Sequence, residues 1–317
     1  MPRYDKVLLA KQARAHDFLP QTFEKVLRLT EILRFINSME ELREALALKG
    51  GTAINLTMFR LPRLSVDIDM DFTQNLPREA MLERRDRVNA LLGRFMAAEG
   101  YMQHSRSKQS HSLDSFVYAY TNTAGNLDNI KLEINYSLRC HVLPAIDAHM
   151  VTGAFEDFPI RTLAPIEIFG SKIIALTSRA AARDLYDINN MIVMELFNAA
   201  ECNMLRKCAV FYLAIAGTPE NQTLAPERLT VITQRKIKTD LFPVISNSER
   251  FDFHTVKQRV AGFLEQQMVP DEKEREFLTR FAAGKYLPEL LFEDEEIIAR
   301  VLGHPMAAWR MQKLNES

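Results

Sequence analysis

The pattern of hydrophobic and polar positions divides the chain into two parts. From Lys6 to Leu163, segments with helical spacing are mixed with β-rich runs, whereas nearly every segment after Pro165 has helical spacing. The length of 317 residues is enough for two domains. We therefore predict an α/β domain over residues 1–164 and a helical domain over 165–317.

In the first part, the clearest helix covers Gln21–Ile36, with a wide apolar stripe. Ser38 and Glu41 match a capping box for a second, short helix. Pro77 and Gly100 mark the ends of a helix of about twenty residues. Helical turns are expected over Thr52–Phe59, and strands over Ala45–Leu48, Leu64–Phe72, Ser115–Thr121, Ile130–Tyr136 and Phe158–Leu163.

In the second part, Pro165 stands where a helix should begin, and helical spacing continues from Ile166 to Arg179. Later helices are predicted over Leu185–Leu196, Met204–Ile215, Pro226–Lys238, Val256–Gln267, Lys273–Ala283 and Asp294–Leu302.

The strand Leu64–Phe72 carries the strongest chemical signal. Strict alternation places Asp67, Asp69 and Asp71 on one face, with neighbours about 6.7 Å apart. Like charges at this distance repel by roughly 0.6 kcal/mol in water and about 2.4 kcal/mol at an effective dielectric of 20. A hard cation such as Mg²⁺ would relieve that repulsion. The alternative is a solvent-facing strand with ordinary surface aspartates.

A glycine pair precedes this strand. Lys49-Gly50-Gly51-Thr52 lies between a buried strand and a short helix. Backbone N–H groups at a helix start can bind a phosphate, and glycine leaves room for it to approach. Most Gly-Gly turns simply reverse the chain, but this one lies one strand before the aspartates. The order places a triphosphate next to the metal site.

A third carboxylate is expected from a neighbouring strand, and Glu133 lies between apolar residues in a β-run. Three carboxylates on adjacent strands can hold two Mg²⁺ ions, one for the triphosphate and one for the acceptor hydroxyl. Taken alone, the pattern around Glu133 favours an exposed strand position.

Composition adds few limits. The net charge is −1, so contact with nucleic acid requires a local basic patch. No apolar run approaches the roughly 20 residues of a membrane span. The segment Met1–Lys6 lacks the apolar stretch of a signal peptide. We therefore expect a cytoplasmic protein with no membrane partner.

These motifs resemble the AbiEii/MenT family, the toxins of type IV-like toxin–antitoxin and phage-abortive systems. The resemblance rests on four segments in the family's order: Lys49–Ala53 with Arg63–Asp69, Leu132–Ile134, Lys172–Arg179 as Lys-x-x-Ala-x-x-x-Arg, and Arg183–Asp187 as Arg-Asp-x-x-Asp. It covers about residues 45 to 190, and Asp71 extends the acidic alternation beyond the family's usual pattern.

The resemblance implies a polymerase-β-like α/β core with a mixed sheet, followed by a helical domain. An acceptor hydroxyl would attack the α-phosphorus of an NTP, and pyrophosphate would leave. Asp67, Asp69 and Glu133 would bind Mg²⁺ or Mn²⁺, and Glu133 or a metal-bound base would activate the hydroxyl. The residues assigned to the nucleotide are Lys49, Gly50, Gly51, Thr52, Arg63, Ser65, Lys172, Arg179 and Arg183.

The third and fourth motifs also suggest a shared surface. On one continuous helix, Lys172, Arg179 and Arg183 would lie within about 40° of one another, which favours phosphate binding over mutual repulsion. A solvated basic face is the alternative, and either interpretation makes Lys172 solvent-facing. Asp184 and Asp187 are both catalytic candidates, and the sequence does not decide which one faces the site.

The family implies tRNA as the acceptor, a growth-arresting role and a cognate antitoxin encoded nearby. A protein or small-molecule acceptor would use the same metal site. A non-catalytic module that binds an NTP or an antitoxin is a further alternative. Basic segments that would suit RNA are Arg84–Arg87, Arg206–Lys207 and Arg235–Lys238, although such a segment is more often a solvated helix face.

Overall fold

The computed structural model describes residues 4–216 and 224–316. It divides into two compact units, which are described separately. The first contains the residues up to Arg139, Ala145–Leu163 and Val244–Glu249. The second contains Cys140–Pro144, Ala164–Pro243 and the residues from Arg250 onward. Of the N-terminal segment considered above, Met1–Arg3 lie outside the described residues.

The first unit holds a sheet with helices. Its helices are α1 (Lys6–Ala15), α2 (Pro20–Ser38), α3 (Glu40–Ala45), α4 (Gly50–Ala53), which continues as a π-turn over Ile54–Met58, and α5 (Arg78–Ala98). Its strands are β1 (Leu46–Lys49), β2 (Asp67–Phe72), β3 (Met102–Gln103), β4 (Lys108–Gln109), β5 (Leu113–Thr121), β6 (Leu127–Asn135), β7 (Ile146–Ala148) and β8 (Ile160–Thr162).

The sheet is mixed, as predicted. Its order is β3-β5-β6-β2-β1-β8-β7, and β4 pairs with β5. β2 runs parallel to β6 and antiparallel to β1, so the aspartate strand lies inside the sheet. Its apolar residues Ile68, Met70 and Phe72 are at most 1% exposed. The predicted alternation therefore separates a core face from the face that carries the aspartates.

Three local predictions in this unit need correction. Ser38 does not cap the second helix: it is the last residue of α2, and its hydroxyl donates to the Phe35 carbonyl. The aspartate strand begins at Asp67 rather than Leu64, because the Leu64 N–H is bound to the Val244 carbonyl. The last strand covers Ile160–Thr162 only.

Several short elements were not predicted. α1 has only Leu9 and Ala13 buried, so its apolar stripe is narrow. β3 and β4 have two residues each, all exposed, and carry no apolar alternation. β7 is also short and lies at the edge of the sheet. Such edge pieces are held by backbone pairing rather than by side-chain burial, and periodicity does not detect them.

The second unit is helical. Its α-helices are α6 (Pro165–Arg179), α7 (Ala182–Val193), α8 (Ala199–Ala216), α9 (Gln234–Lys236), which continues as a π-turn over Ile237–Leu241, α10 (Phe253–Gln267), α11 (Glu272–Ala282), α12 (Glu295–Leu302) and α13 (Pro305–Asn315). Turns of 3₁₀-helix cover Pro226–Val231 and Pro288–Leu290. No helix among the described residues is long and apolar enough to cross a membrane.

The predicted helix Pro226–Lys238 is wrong as one element. The backbone is extended at Ile232 and Thr233, and the Thr233 side chain accepts the Lys236 N–H to begin α9. A β-branched residue with a capping hydroxyl favours such an interruption. The α13 helix was not predicted.

Candidate active site

A row of charged residues crosses the sheet at Asp69. Its Cα is paired with Lys49 on β1 and with Glu133 on β6. Residues directly opposite each other on neighbouring strands have their side chains on one face, about 4.5 to 5.5 Å apart at Cβ. Asp67 faces the same side because it is two positions earlier on the strand. The structure therefore brings the three predicted carboxylates to one face.

The glycine pair lies directly against this row. Gly50 has φ +67°, a left-handed conformation that glycine adopts without a steric penalty. A Cβ at Gly50 would lie 2.9 Å from Asp69 Oδ2. At Gly51, a Cβ would lie 2.9 Å from Ser65 Oγ and closer still to the Arg63 guanidinium. The turn reaches the aspartate strand only because both residues lack a side chain.

Hydrogen bonds fix the short helix after the glycines to the same strand. The buried Thr52 hydroxyl donates to the Asp67 carbonyl at 2.5 Å, and Asn55 Nδ2 donates to the Gly51 carbonyl at 2.7 Å. The first N–H groups of a helix lack intrahelical acceptors. A phosphate contact at Thr52 would therefore come from its backbone, because its hydroxyl is already engaged.

Asp71 is explained by an ion pair. It is 1% exposed, and its Oδ1 lies 2.5 Å from Lys49 Nζ. The lysine offsets the charge of an aspartate to which the sequence assigned no catalytic role. Lys49 was predicted to bind the nucleotide, and the structure adds this contact with Asp71.

The local electrostatics favour a cation at Asp69. Burial raises the pKa of Asp69, and the neighbouring Asp67 and Glu133 raise it further, whereas Lys49 and Lys131 act in the opposite direction. The net result is a raised pKa, which means that the lysines do not fully compensate for the buried negative charge. A bound divalent cation would stabilise the ionised carboxylates.

The side chains of the three carboxylates do not converge on a single point. In residues 4–216 and 224–316, no three His, Cys, Asp or Glu side chains converge closely enough to hold a metal ion. One reason is that Lys131 Nζ binds Glu133 Oε1 at 2.9 Å. The donor chemistry still fits a hard divalent cation, which binds one or two carboxylates together with phosphate oxygens. Glu133 would complete the set by turning away from Lys131.

Arg63 and Ser65 line the glycine turn. The Arg63 side chain is 2% exposed, and its Nη1 donates to the Leu64 carbonyl at 3.1 Å. Its other terminal nitrogen lies against Gly51. The guanidinium is thus built into the loop behind the glycines, whereas Ser65 remains half-buried beside Gly51.

In the second unit, the continuous helix assumed for the third and fourth motifs is wrong. α6 ends at Arg179, and Ala180 adopts a left-handed conformation with φ 51°. α7 then begins at Ala182. Arg183 therefore does not continue the predicted stripe, because it belongs to α7, whereas Lys172 and Arg179 both lie on α6 and both contact Asp184.

Lys172 lies instead between two aspartates. Its Nζ is 2.9 Å from Asp184 Oδ1 and 2.9 Å from Asp187 Oδ2, and the side chain is 7% exposed. The expectation of a solvent-facing lysine is wrong. Both aspartates of the fourth motif face this ammonium, so the two motifs form one buried ion cluster.

Arg179 extends this cluster to the surface. Its Nε and Nη2 both lie 2.8 Å from Asp184 Oδ2, yet its side chain is 66% exposed. Arg183 is half-buried near the start of α7. Of the three cations predicted to bind phosphate here, Arg179 is thus the exposed one.

In two of the three basic segments considered for RNA, arginines are paired with acids. Arg84 pairs with Glu41 at 3.0 Å, Arg85 pairs with the buried Asp114 at 2.5 Å, and Arg206 Nε binds Glu274 Oε2 at 2.8 Å. In the third segment, Arg235 and Lys238 are exposed.

Sequence reasoning missed two residues of the site. Lys131 binds Glu133, and its position two residues earlier on a strand was the available signal. Asn55 anchors the glycine turn from the next helical turn, and no pattern in the sequence marks it.

The chain was compared with known protein families and structures. The family model described as the nucleotidyl transferase AbiEii toxin of type IV toxin–antitoxin systems matches residues 32–283. Among solved structures, the chain is similar to MenT4, a nucleotidyltransferase toxin from Mycobacterium tuberculosis, with a TM-score of 0.63 and 16% identity over 98% of this chain and 99% of that one. This likeness shows the shared fold. No curated protein matches the chain in sequence.

Proposed function

Because the chain belongs to the AbiEii nucleotidyltransferase toxin family of type IV toxin–antitoxin systems, we propose that it moves a nucleoside monophosphate from an NTP to the 3′ end of a tRNA. The family sets the enzyme class, the NTP substrate and the existence of an antitoxin partner. The acceptor, the metal and the role of each residue are the proposal. Transfer to tRNA would arrest growth, including during phage infection, and would take place in the cytoplasm.

The observation that carries this proposal is the contact between the glycine turn and the carboxylate row. Gly50 allows the turn to lie against Asp69, and Asp69 is in register with Glu133. A triphosphate bound by the backbone of Gly51 and Thr52 and by Ser65 would then lie beside the carboxylates. The α-phosphorus would be held for in-line attack, which contributes to catalysis through positioning.

Asp67, Asp69 and Glu133 would hold Mg²⁺ or Mn²⁺, and the ion would neutralise charge on the phosphates and lower the pKa of the acceptor hydroxyl. The protein's own contribution is the dense negative charge on one sheet face. Lys131 is the competitor for Glu133, since it already binds this carboxylate at 2.9 Å. Glu133 would accept the hydroxyl proton once it is released from the lysine.

The cluster in the helical unit is assigned a different role from the one that the sequence suggested. Lys172 already contacts Asp184 and Asp187, and Arg179 contacts Asp184, so the proposal treats these residues as a charge-balanced unit that fixes α6 against α7. Arg179 is the phosphate ligand proposed from this unit, because its guanidinium is anchored by Asp184 and exposed.

The experiment is transfer of label from NTPs to RNA. Purified protein with Mg²⁺ and α-labelled NTPs should label a tRNA fraction, and chelation of the metal should abolish the label. Label that appears from γ-labelled NTP would indicate a kinase and refute nucleotidyl transfer. Label in a protein band with none in RNA would identify the alternative acceptor. Nucleotide binding without pyrophosphate release would support the non-catalytic module.

A further inference from the structure

An exposed stretch at the edge of the sheet carries basic residues and no acidic residues. We define the basic edge segment as residues 102–112. From Gly100 to Leu113 the chain contains Arg106, Lys108 and two histidines, and it contains no Asp or Glu. Residues 102–106 and 108–111 are all exposed. The rest of the segment is Met102 together with serine and glutamine, and the serine and glutamine side chains donate hydrogen bonds and add no charge.

The register of the sheet places this segment beside the carboxylate row. Lys108 on β4 pairs with Ser115 on β5, Ser115 pairs with Glu133, and Glu133 pairs with Asp69. Paired residues share a face, so Lys108 faces the same side as the two carboxylates. Two strand spacings separate Lys108 from Glu133, about 10 Å between Cα atoms. A long lysine side chain covers much of that distance.

Hydrogen bonds from the helix α5 and the strand β5 hold the basic edge segment in place. Arg85 Nη2 donates to the Ser110 carbonyl at 2.7 Å, and the same guanidinium pairs with Asp114. Ser107 Oγ accepts the Val117 N–H at 3.0 Å. Asp114, two residues after the segment, is fully buried and paired with Arg85, so this acid contributes no negative charge to the surface. A ligand would bind a preformed surface, which lowers the entropic cost of ordering it.

We propose that the basic edge segment binds the sugar–phosphate backbone of the RNA acceptor and leads its end to the carboxylate row. Arg106 and Lys108 would bind phosphates, and the serine and glutamine side chains would bind phosphate and ribose oxygens. The inference rests on the proposed function, because it takes the acceptor to be RNA. The inference adds the surface on which the RNA acceptor is held.

A protein partner such as the antitoxin fits this surface less well. Protein interfaces are anchored by buried aromatic and aliphatic side chains at their centre. The segment has one large exposed apolar side chain, Met102 at 64%. A surface that is charged, polar and nearly free of apolar groups favours a phosphate backbone.

The test is RNA binding by the full-length protein with Arg106→Gln and Lys108→Gln combined. The probe is a 5′-labelled bulk bacterial tRNA fraction, titrated at several salt concentrations without NTP. We expect affinity to fall about tenfold or more at low salt, and the slope of log K against log salt to become shallower by about 1.4 to 1.8, as the loss of two phosphate contacts predicts. In transfer assays, KM for RNA should rise, while kcat and KM for NTP stay near the parental values.

The matched control is Lys11→Gln combined with Arg94→Gln, which removes the same charge from exposed positions of α1 and α5. Arg94 points about 180° away from Arg85 on α5. Parental RNA binding by the edge variant, or equal loss in the control, would overturn the inference. Loss of binding to purified antitoxin with RNA binding unchanged would also overturn it. Binding that behaves as expected without label transfer would uphold the surface and refute the proposed reaction instead.

Discussion

Replacing Lys172 by Met should destabilise the helical unit, in contrast to the small effect expected for a surface lysine. The substitution keeps most of the length of the side chain and removes its charge. Lys172 lies 2.9 Å from each of two carboxylates whose side chains are 3% and 1% exposed. Without the ammonium, Asp184 and Asp187 repel each other in a site with little water.

The magnitude follows from the charge balance of the cluster. Lys172 and Arg179 together offset Asp184 and Asp187, so the variant leaves one excess negative charge in the buried part. Breaking a buried ion pair from one side costs about 3 to 5 kcal/mol. For a domain of this size, that lowers the melting temperature by about 6 to 20 °C.

The assay is thermal unfolding followed by circular dichroism. Lys172→Met combined with Asp187→Asn restores the charge balance and should recover about 1 to 3 kcal/mol relative to Lys172→Met alone. Lys207→Met is the control, because Lys207 lies in the same unit and makes no ion pair with a described residue. A melting temperature for Lys172→Met within 2 °C of the parent would refute the buried cluster and return Lys172 to the role of a solvent-facing phosphate ligand.

The other predictions concern the sheet unit. Gly51→Ala should cost about 1 to 3 kcal/mol of stability and most of the transfer activity, because its Cβ would collide with the residues behind the turn; Gly93→Ala, with open space around it, should be neutral or slightly stabilising in the same unfolding assay. Lys49→Met should destabilise by leaving the buried Asp71 without this cation, and adding Asp71→Asn should restore most of the loss. Asp69→Asn should melt at the same or a higher temperature than the parent at neutral pH without divalent cations. The raised pKa of Asp69 means that its protonated form favours folding and that this contribution is lost as pH rises. The difference in melting temperature between Asp69→Asn and the parent should therefore vanish in acid. A lower melting temperature for the variant at neutral pH would contradict the account.

The sheet face was predictable because its signals are local. Alternation around Asp69 fixes which side chains share a face, and the glycine pair marks a backbone that a Cβ would block. The pairing of Glu133 with Asp69 needed only the assumption that their strands are neighbours, and the register confirms this arrangement.

The helical motifs were less predictable because their geometry depends on one residue. The spacing predicted a helix that ends at Arg179, as α6 does, but Ala180 adopts a left-handed conformation that alanine rarely favours, so the direction of the chain after α6 was not predictable. Once the axis changes, spacing along the chain no longer reports direction in space. The pairing of Lys172 with Asp184 and Asp187 is therefore a tertiary contact that helical periodicity does not contain.

The most direct test of the central claim is whether label from an α-labelled NTP joins the 3′ end of tRNA at the carboxylate row. Intact tRNA and tRNA oxidised with periodate, which destroys the 3′-terminal diol, are incubated with the parent protein and with Asp69→Asn. The account predicts label in intact tRNA with the parent alone, and at least a hundredfold less with the variant. Equal labelling of oxidised tRNA, or near-parental transfer by a folded Asp69→Asn protein, would contradict it.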